Sequence, residues 1–302
     1  MKRKLVQQGA ATMMVSLPSK WIKQFNLKKG DEINLEERGT ALEIYTEKGM
    51  ENKTAKIDIS HLTPLHQRAI VGIYLKGYDE VDVHFTDPAL IRTIQKEVIN
   101  DLVGYEIVDQ SKNVCKIKEI STSSAEEFDN LLRRIFLLLK SMLEETLASA
   151  KKKETNLEHV EYIDSNINKF CFYCLRTLNK KGYKEFDKTA VMYTIIIGLE
   201  DLGDKIKEFV RYVKAKKVVF DNDSIALLQD TLSLFNDYYA LFYDAKPEKA
   251  VALAKKFNSL RAKADALSER KKDIKQVYVI DYIHDLAFQT LKLMGNQLTI
   301  MF

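Results

Sequence analysis

A chain of 302 residues is long enough for two or three domains, each with its own core. With 46% hydrophobic and 30% charged residues it reads as globular, and four prolines and eleven glycines are too few for a long disordered tail or a turn-dense all-β fold. The net charge of +4 is unevenly spread: residues 1–30 hold Lys2, Arg3, Lys4, Lys20, Lys23, Lys28 and Lys29 and no acidic residue, which points to a polyanionic partner.

Residues 12–17 are strand-like, and Pro18 then opens a short helix with Trp21, Ile22 and Phe25 on its apolar side. Gly30-Asp31 marks a turn before an alternating strand at 32–36, and the turn Arg38-Gly39-Thr40 leads to another at 41–45. Four short elements make a core too small to stand alone, so self-association is expected. The basic start is followed by no apolar segment, and the most apolar run, residues 190–199, is well short of the ~20 residues that span a bilayer. A soluble, cytoplasmic protein without membrane insertion is expected.

The run Thr12-Met13-Met14-Val15-Ser16-Leu17-Pro18-Ser19-Lys20-Trp21, followed by Leu27-Lys28-Lys29-Gly30-Asp31-Glu32-Ile33, resembles the AbrB/MazE/SpoVT swapped-hairpin family. That family reads as strand, apolar-Pro, short helix, Leu-x-x-Gly-Asp, strand. The resemblance implies a head over residues 1–50 in which two chains interleave their hairpins into one small β-barrel. It also implies promoter DNA as a partner, with Arg3, Lys4, Lys20 and Lys23 as the phosphate-contacting residues. Some members of the family serve only to dimerise.

Residues 51–121 alternate strand and helix signals: strands at 55–59, 81–85, 105–108 and 115–120, helices at 64–75 and 89–102. This small α/β linker domain has no Gly-rich phosphate loop, so nucleotide binding has no support here. The phrases at 74–79 and 102–108 resemble the region that joins AbrB-like heads to PhoU-like regulators.

Residues 122–302 read as six helices in two sets of three, repeating over about 122–215 and 222–302. Ser123 and Glu126 form a capping-box signal, and Phe128, Leu131, Leu132, Ile135, Phe136, Leu139, Met142 and Leu143 follow at helical spacing. Further helices are expected at 156–180, 186–215, 222–243, 247–271 and 273–298. Cys171 and Cys174 form one C-x-x-C with no second Cys or His pair to complete a zinc site, so buried packing is expected of them. Residues 198–206 align with 279–287, and each copy places two carboxylates at i, i+4: Glu200/Asp204 and Asp281/Asp285. Like charges at that spacing repel unless a cation lies between them.

Leu199-Glu200-Asp201-Leu202-Gly203-Asp204 resembles the signature of PhoU, a phosphate-signalling protein of two similar three-helix bundles. The resemblance implies a multi-domain, mostly α fold: AbrB-like β-barrel head, α/β linker and tandem PhoU-like bundles. It implies Glu200, Asp204, Asp281 and Asp285, with Asp164 from the preceding helix, as ligands of iron or another divalent metal. Val160 and Arg261 stand four residues before Asp164 and Asp265, where the companion motif places acids, and Asp281 is shorter than the family's Glu. The open alternatives are one ion, or none, with the acids balanced by Lys205, Lys207 and Arg211.

The function expected from these resemblances is a homodimeric or larger DNA-binding regulator of phosphate uptake. The alternative is a PhoU-type adaptor on a phosphate transporter or sensor kinase, with a head that only dimerises. An enzyme is not expected: a di-iron carboxylate bundle wants two Glu-x-x-His motifs, and the nearest approach is a single Asp281-Tyr282-Ile283-His284.

Overall fold

The computed structural model describes residues 2–46, 53–120 and 125–302, which fall into two compact units, 1–52 and 53–302. Ser123 of the expected cap lies outside the described residues.

In the first unit β1 (Val6–Gln8) and β2 (Thr12–Met14) pair antiparallel, with Val6 opposite Met14 and Gly9 at φ 74° in the turn. Pro18, with its fixed φ, leads into α1 (Ser19–Gln24), where the lost N–H has no helical partner to miss. The Gly-Asp turn closes on itself: the Lys28 N–H donates to Asp31 Oδ2 at 2.7 Å, and Gly30 takes φ 92°, which a side chain would strain. β3 (Asn34–Arg38) and β4 (Ala41–Tyr45) form a second hairpin, with Leu35 opposite Ile44. Leu5, Val6, Met13, Met14, Val15, Ile33, Leu35 and Leu42 are all more than a third exposed. Among the described residues of this unit only Thr46 is buried. A single copy of the head therefore has hairpins but no core of its own.

The second unit begins with a four-stranded sheet in the order β5-β6-β8-β7: β5 (Thr54–Asp58), β6 (Glu80–His84), β7 (Tyr105–Gln110) and β8 (Val114–Glu119). β5 and β6 run parallel, joined through α2 (His66–Leu75), and the other pairs are antiparallel. α3 starts as a regular helix (Leu90–Thr93), passes into a π turn (Ile94–Val98) and ends in a 3-10 turn (Ile99–Asp101). Ile59, Ile70, Tyr74, Val83, Ile94 and Ile117 make the core between sheet and helices.

Six helices follow: α4 (Ala125–Lys151), α5 (Glu158–Lys181), α6 (Thr189–Lys216), α7 (Asn222–Tyr243), α8 (Pro247–Arg270) and α9 (Ile274–Met301). They share one core, and α6 packs on α9 across the two sets of three. The α6 stripe Ile195, Leu199, Leu202, Ile206, Phe209 is buried as its spacing requires, as are Ile280, Ile283 and Ala287 of α9. Two glycines let α6 approach its neighbours: a Cβ on Gly198 would lie 2.8 Å from Leu293 Cδ2, and one on Gly203 would lie 3.3 Å from Asp164 Oδ1. Asp221 caps α7 by accepting from the Ser224 N–H at 2.9 Å, and Pro247 opens α8.

Sheet and bundle belong to the same unit, and Arg176 of α5 ties them. The residue is 2% exposed, and its guanidinium lies over the rings of Tyr74 and Tyr105, donates to the Tyr74 carbonyl at 2.6 Å and to Glu119 at 2.8 Å, and stands 3.6 Å from Asp79. Lys180, one turn on, pairs with the same two acids. Asp79 in turn accepts the N–H of Lys53, the first residue of the unit, at 2.8 Å.

Candidate nucleic-acid interface and carboxylate clusters

Arg3 and Lys4 precede β1, while Lys20 and Lys23 stand three residues apart on α1 and so share one face of that short helix. All four are exposed, and none has a hydrogen-bond or ion-pair partner among the described residues. Cations without a partner carboxylate keep their full charge for a polyanion, and a phosphate backbone is the surface that uses such charge without needing a shaped pocket.

In the bundle the acids of α6 meet Asp164 of α5. Asp164 is 3% exposed, and its Oδ2 accepts from Lys207 Nζ at 2.6 Å. The same ammonium also bonds Asp204. Asp164 Oδ1 and Asn168 Oδ1 are buried without a partner among the described residues. Burial raises the Asp164 carboxyl above its usual range, against the pull of Lys207. For Lys207 itself, burial disfavours the charge, but the bonds to Asp164 and Asp204 outweigh it and the ammonium is held more tightly protonated than usual. Glu200 is pushed up to about 7, first by burial and then by the charges of Asp204, Asp201 and Asp164. Asp101, at the end of α3, joins the same field: burial raises it, Lys169 works against the rise, and the charge of Asp164 adds to it.

The second copy is looser. Asp281 is exposed, and Asp285 pairs with Lys205 at 3.0 Å. Arg211 takes Glu161 at 2.6 Å, so Lys205, Lys207 and Arg211 each pair with an acid.

The structure therefore brings Asp164, Glu200 and Asp204 together and leaves Asp281 and Asp285 apart from them. Among the described residues no three acidic, histidine or cysteine side chains gather closely enough to hold a metal ion. The Lys207 ammonium lies where a cation bridging Asp164 and Asp204 would have to sit, so this donor set does not fit a metal centre. Cys171 and Cys174 are buried, and burial raises both thiols, which keeps them protonated and poor ligands. The residues that the sequence did not reveal are Arg176, whose partners are 57 and 102 residues away, and Asp101.

Residues 6–51 match the family model described as antidote-toxin recognition MazE, bacterial antitoxin. No curated protein and no solved structure matches the chain. No helix among the described residues is long and apolar enough to cross a membrane. The match covers the two hairpins and the Pro18 to Gly30-Asp31 segment, and in its N-terminal segment the chain is similar to the MazE/AbrB-type swapped-hairpin domains.

Proposed function

We propose that this chain is a DNA-binding regulator that works as a dimer or larger assembly, rather than an enzyme. The observation that carries the reading is the head: eight exposed apolar residues on and beside hairpins that bury only Thr46, next to basic residues with no hydrogen-bond or ion-pair partner, all among the described residues. Domains of the matching type commonly dimerise and bind DNA, and pairing two heads would cover the apolar hairpin faces while placing two sets of Arg3, Lys4, Lys20 and Lys23 on one surface. The helical unit, with its two sets of three helices and its Leu199 to Asp204 motif, supports a PhoU-like module that relates DNA binding to phosphate status through a partner. A regulator of phosphate uptake is the function this combination suits best.

A duplex from the chain's own upstream region, followed by fluorescence anisotropy, tests the reading. Full-length protein is expected to bind, and Lys20→Glu with Lys23→Glu to weaken binding at least tenfold without changing the sedimentation coefficient. Inorganic phosphate, alone or with a partner, is expected to shift the affinity.

A second reading makes the head a dimerising or protein-recognising element and the bundle an adaptor on a phosphate transporter or sensor kinase. The family description, which speaks of toxin recognition, favours a protein partner for such heads. A dimer that ignores DNA at low salt would select it.

A further inference from the structure

The helices of the bundle alternate in direction, so the ends of α4, α6 and α8 and the starts of α5, α7 and α9 meet at one pole. Lys214 pairs there with Glu158, Lys271 with Asp221 and Asp223 at 2.7 Å, and Lys275 Nζ donates to the Lys216 carbonyl at 3.2 Å. Each of the three turns carries a basic cluster: Lys-Lys-Lys at 151–153, Lys-Ala-Lys-Lys at 214–217 and Arg-Lys-Lys at 270–272. Lys152, Lys153, Lys216, Lys217 and Lys272 are exposed, and their ammonium groups have no hydrogen-bond or ion-pair partner among the described residues. Of the acids at these turns Glu154 and Glu269 oppose them, while Glu158, Asp221 and Asp223 are paired and Asp273 caps α9.

Two of these lysines hold positions that favour glycine. α4 and α6 close with the same C-terminal turn, the Glu154 N–H donating to the Ser149 carbonyl at 2.9 Å and the Val218 N–H to the Val213 carbonyl at 3.0 Å. The left-handed residue of that turn is Lys153 at φ 60° in one and Lys217 at φ 50° in the other. A side chain is disfavoured there, so the charge is kept at a backbone cost.

Beside the clusters lie exposed aliphatic side chains. Val219 is 47% exposed and Ile274 61%, on turns joined by the bond from Gln276 Nε2 to the Val219 carbonyl at 2.8 Å. Tyr278, one turn along α9, is also exposed. A nucleic-acid backbone would meet the lysines but gives valine and isoleucine nothing apolar to bury against. The acyl boundary of a bilayer does, and tyrosine suits the headgroup level above it. A planar surface can also meet all three turns at once.

We propose that this pole docks on an anionic lipid surface, with the free lysines at the phosphate headgroups and Val219 and Ile274 at the acyl boundary. The bundle would lie on the bilayer without spanning it, and the contact does not depend on DNA binding by the head.

Flotation of the full-length chain with vesicles of phosphatidylcholine alone, and of equal parts phosphatidylcholine and phosphatidylglycerol, tests it. Binding is expected to the mixed vesicles and not to the neutral ones. Lys153→Gly with Lys217→Gly should weaken that binding at least tenfold, since each lysine near an anionic surface contributes several-fold. The melting temperature should not fall, because glycine suits both positions. Val219→Ser with Ile274→Ser should abolish the binding that survives raised salt, which a purely electrostatic contact would not show. The head is basic too, so the variant carrying both Lys20→Glu and Lys23→Glu is the control and should float as the parent does. Equal binding to both vesicles, binding unchanged in the pole variants, or binding lost in the head variant overturns the proposal. So does a DNA duplex that the head variant still binds and that Lys153→Gly with Lys217→Gly releases, which would assign the pole to nucleic acid.

Discussion

Lys207 decides what the acidic residues of the bundle can do. A carboxylate as buried as Asp164 requires a cation, and Lys207 supplies one at 2.6 Å from within the same chain. Lys207→Met is therefore expected to cost about 3–5 kcal/mol in denaturant unfolding, the usual penalty for leaving a buried charge alone. Because the cation is covalently attached, the melting temperature should be the same with and without a chelator; a fall on chelation would contradict the assignment. Glu200 adds a pH dependence whose sign is fixed. Its folded value of about 7 lies above the ordinary 4.5, so between those pH values the folded protein holds a proton that the unfolded chain has released. Stability falls as pH rises through that window, and Glu200→Gln removes the loss. After allowance for solvent screening, the variant should gain about 1–2 kcal/mol over the parent at pH 8 and nothing at pH 4. The carboxylates were legible in the sequence as i, i+4 pairs. Their cation was legible only as one of three nearby basic residues, because its contact with Asp164 spans 43 positions.

The helices of the bundle were the most legible elements, since each carries an apolar stripe over many turns: the spacing predicts 156–180 and 247–271, and α5 and α8 occupy Glu158–Lys181 and Pro247–Arg270. Short elements were less so. β1 is Val-Gln-Gln, with no alternation to mark it, and pairs only because β2 lies across a glycine turn. The helix expected at 89–102 forms, but its backbone loosens into π and 3-10 turns from Ile94 onward. The tie between sheet and bundle could not be read at all, because the Arg176 contacts cross from α5 to α2 and β8. Arg176→Ala should cost about 3–5 kcal/mol, since Glu119 and Asp79 lose a buried partner, and hydrogen exchange should report lost protection in α2 and β8 before the bundle helices. The Cys171 and Cys174 thiols, buried and held protonated, should resist a thiol reagent until the bundle unfolds.

For the whole molecule, charge and apolar exposure meet in the same small head. A unit in which only Thr46 is buried, among the described residues, has no means of holding its hairpins by itself, and a second copy is the simplest source of a core. Pairing doubles the basic set from four residues to eight, and that doubling is what makes a weak phosphate contact useful. The binding of full-length protein to its upstream duplex, titrated over a range of salt concentrations, tests the account most directly. With eight phosphate contacts the slope of log affinity against log salt should be about −7, and it should flatten in the variant carrying both Lys20→Glu and Lys23→Glu. A slope near zero, or one that these substitutions leave unchanged, would contradict the account.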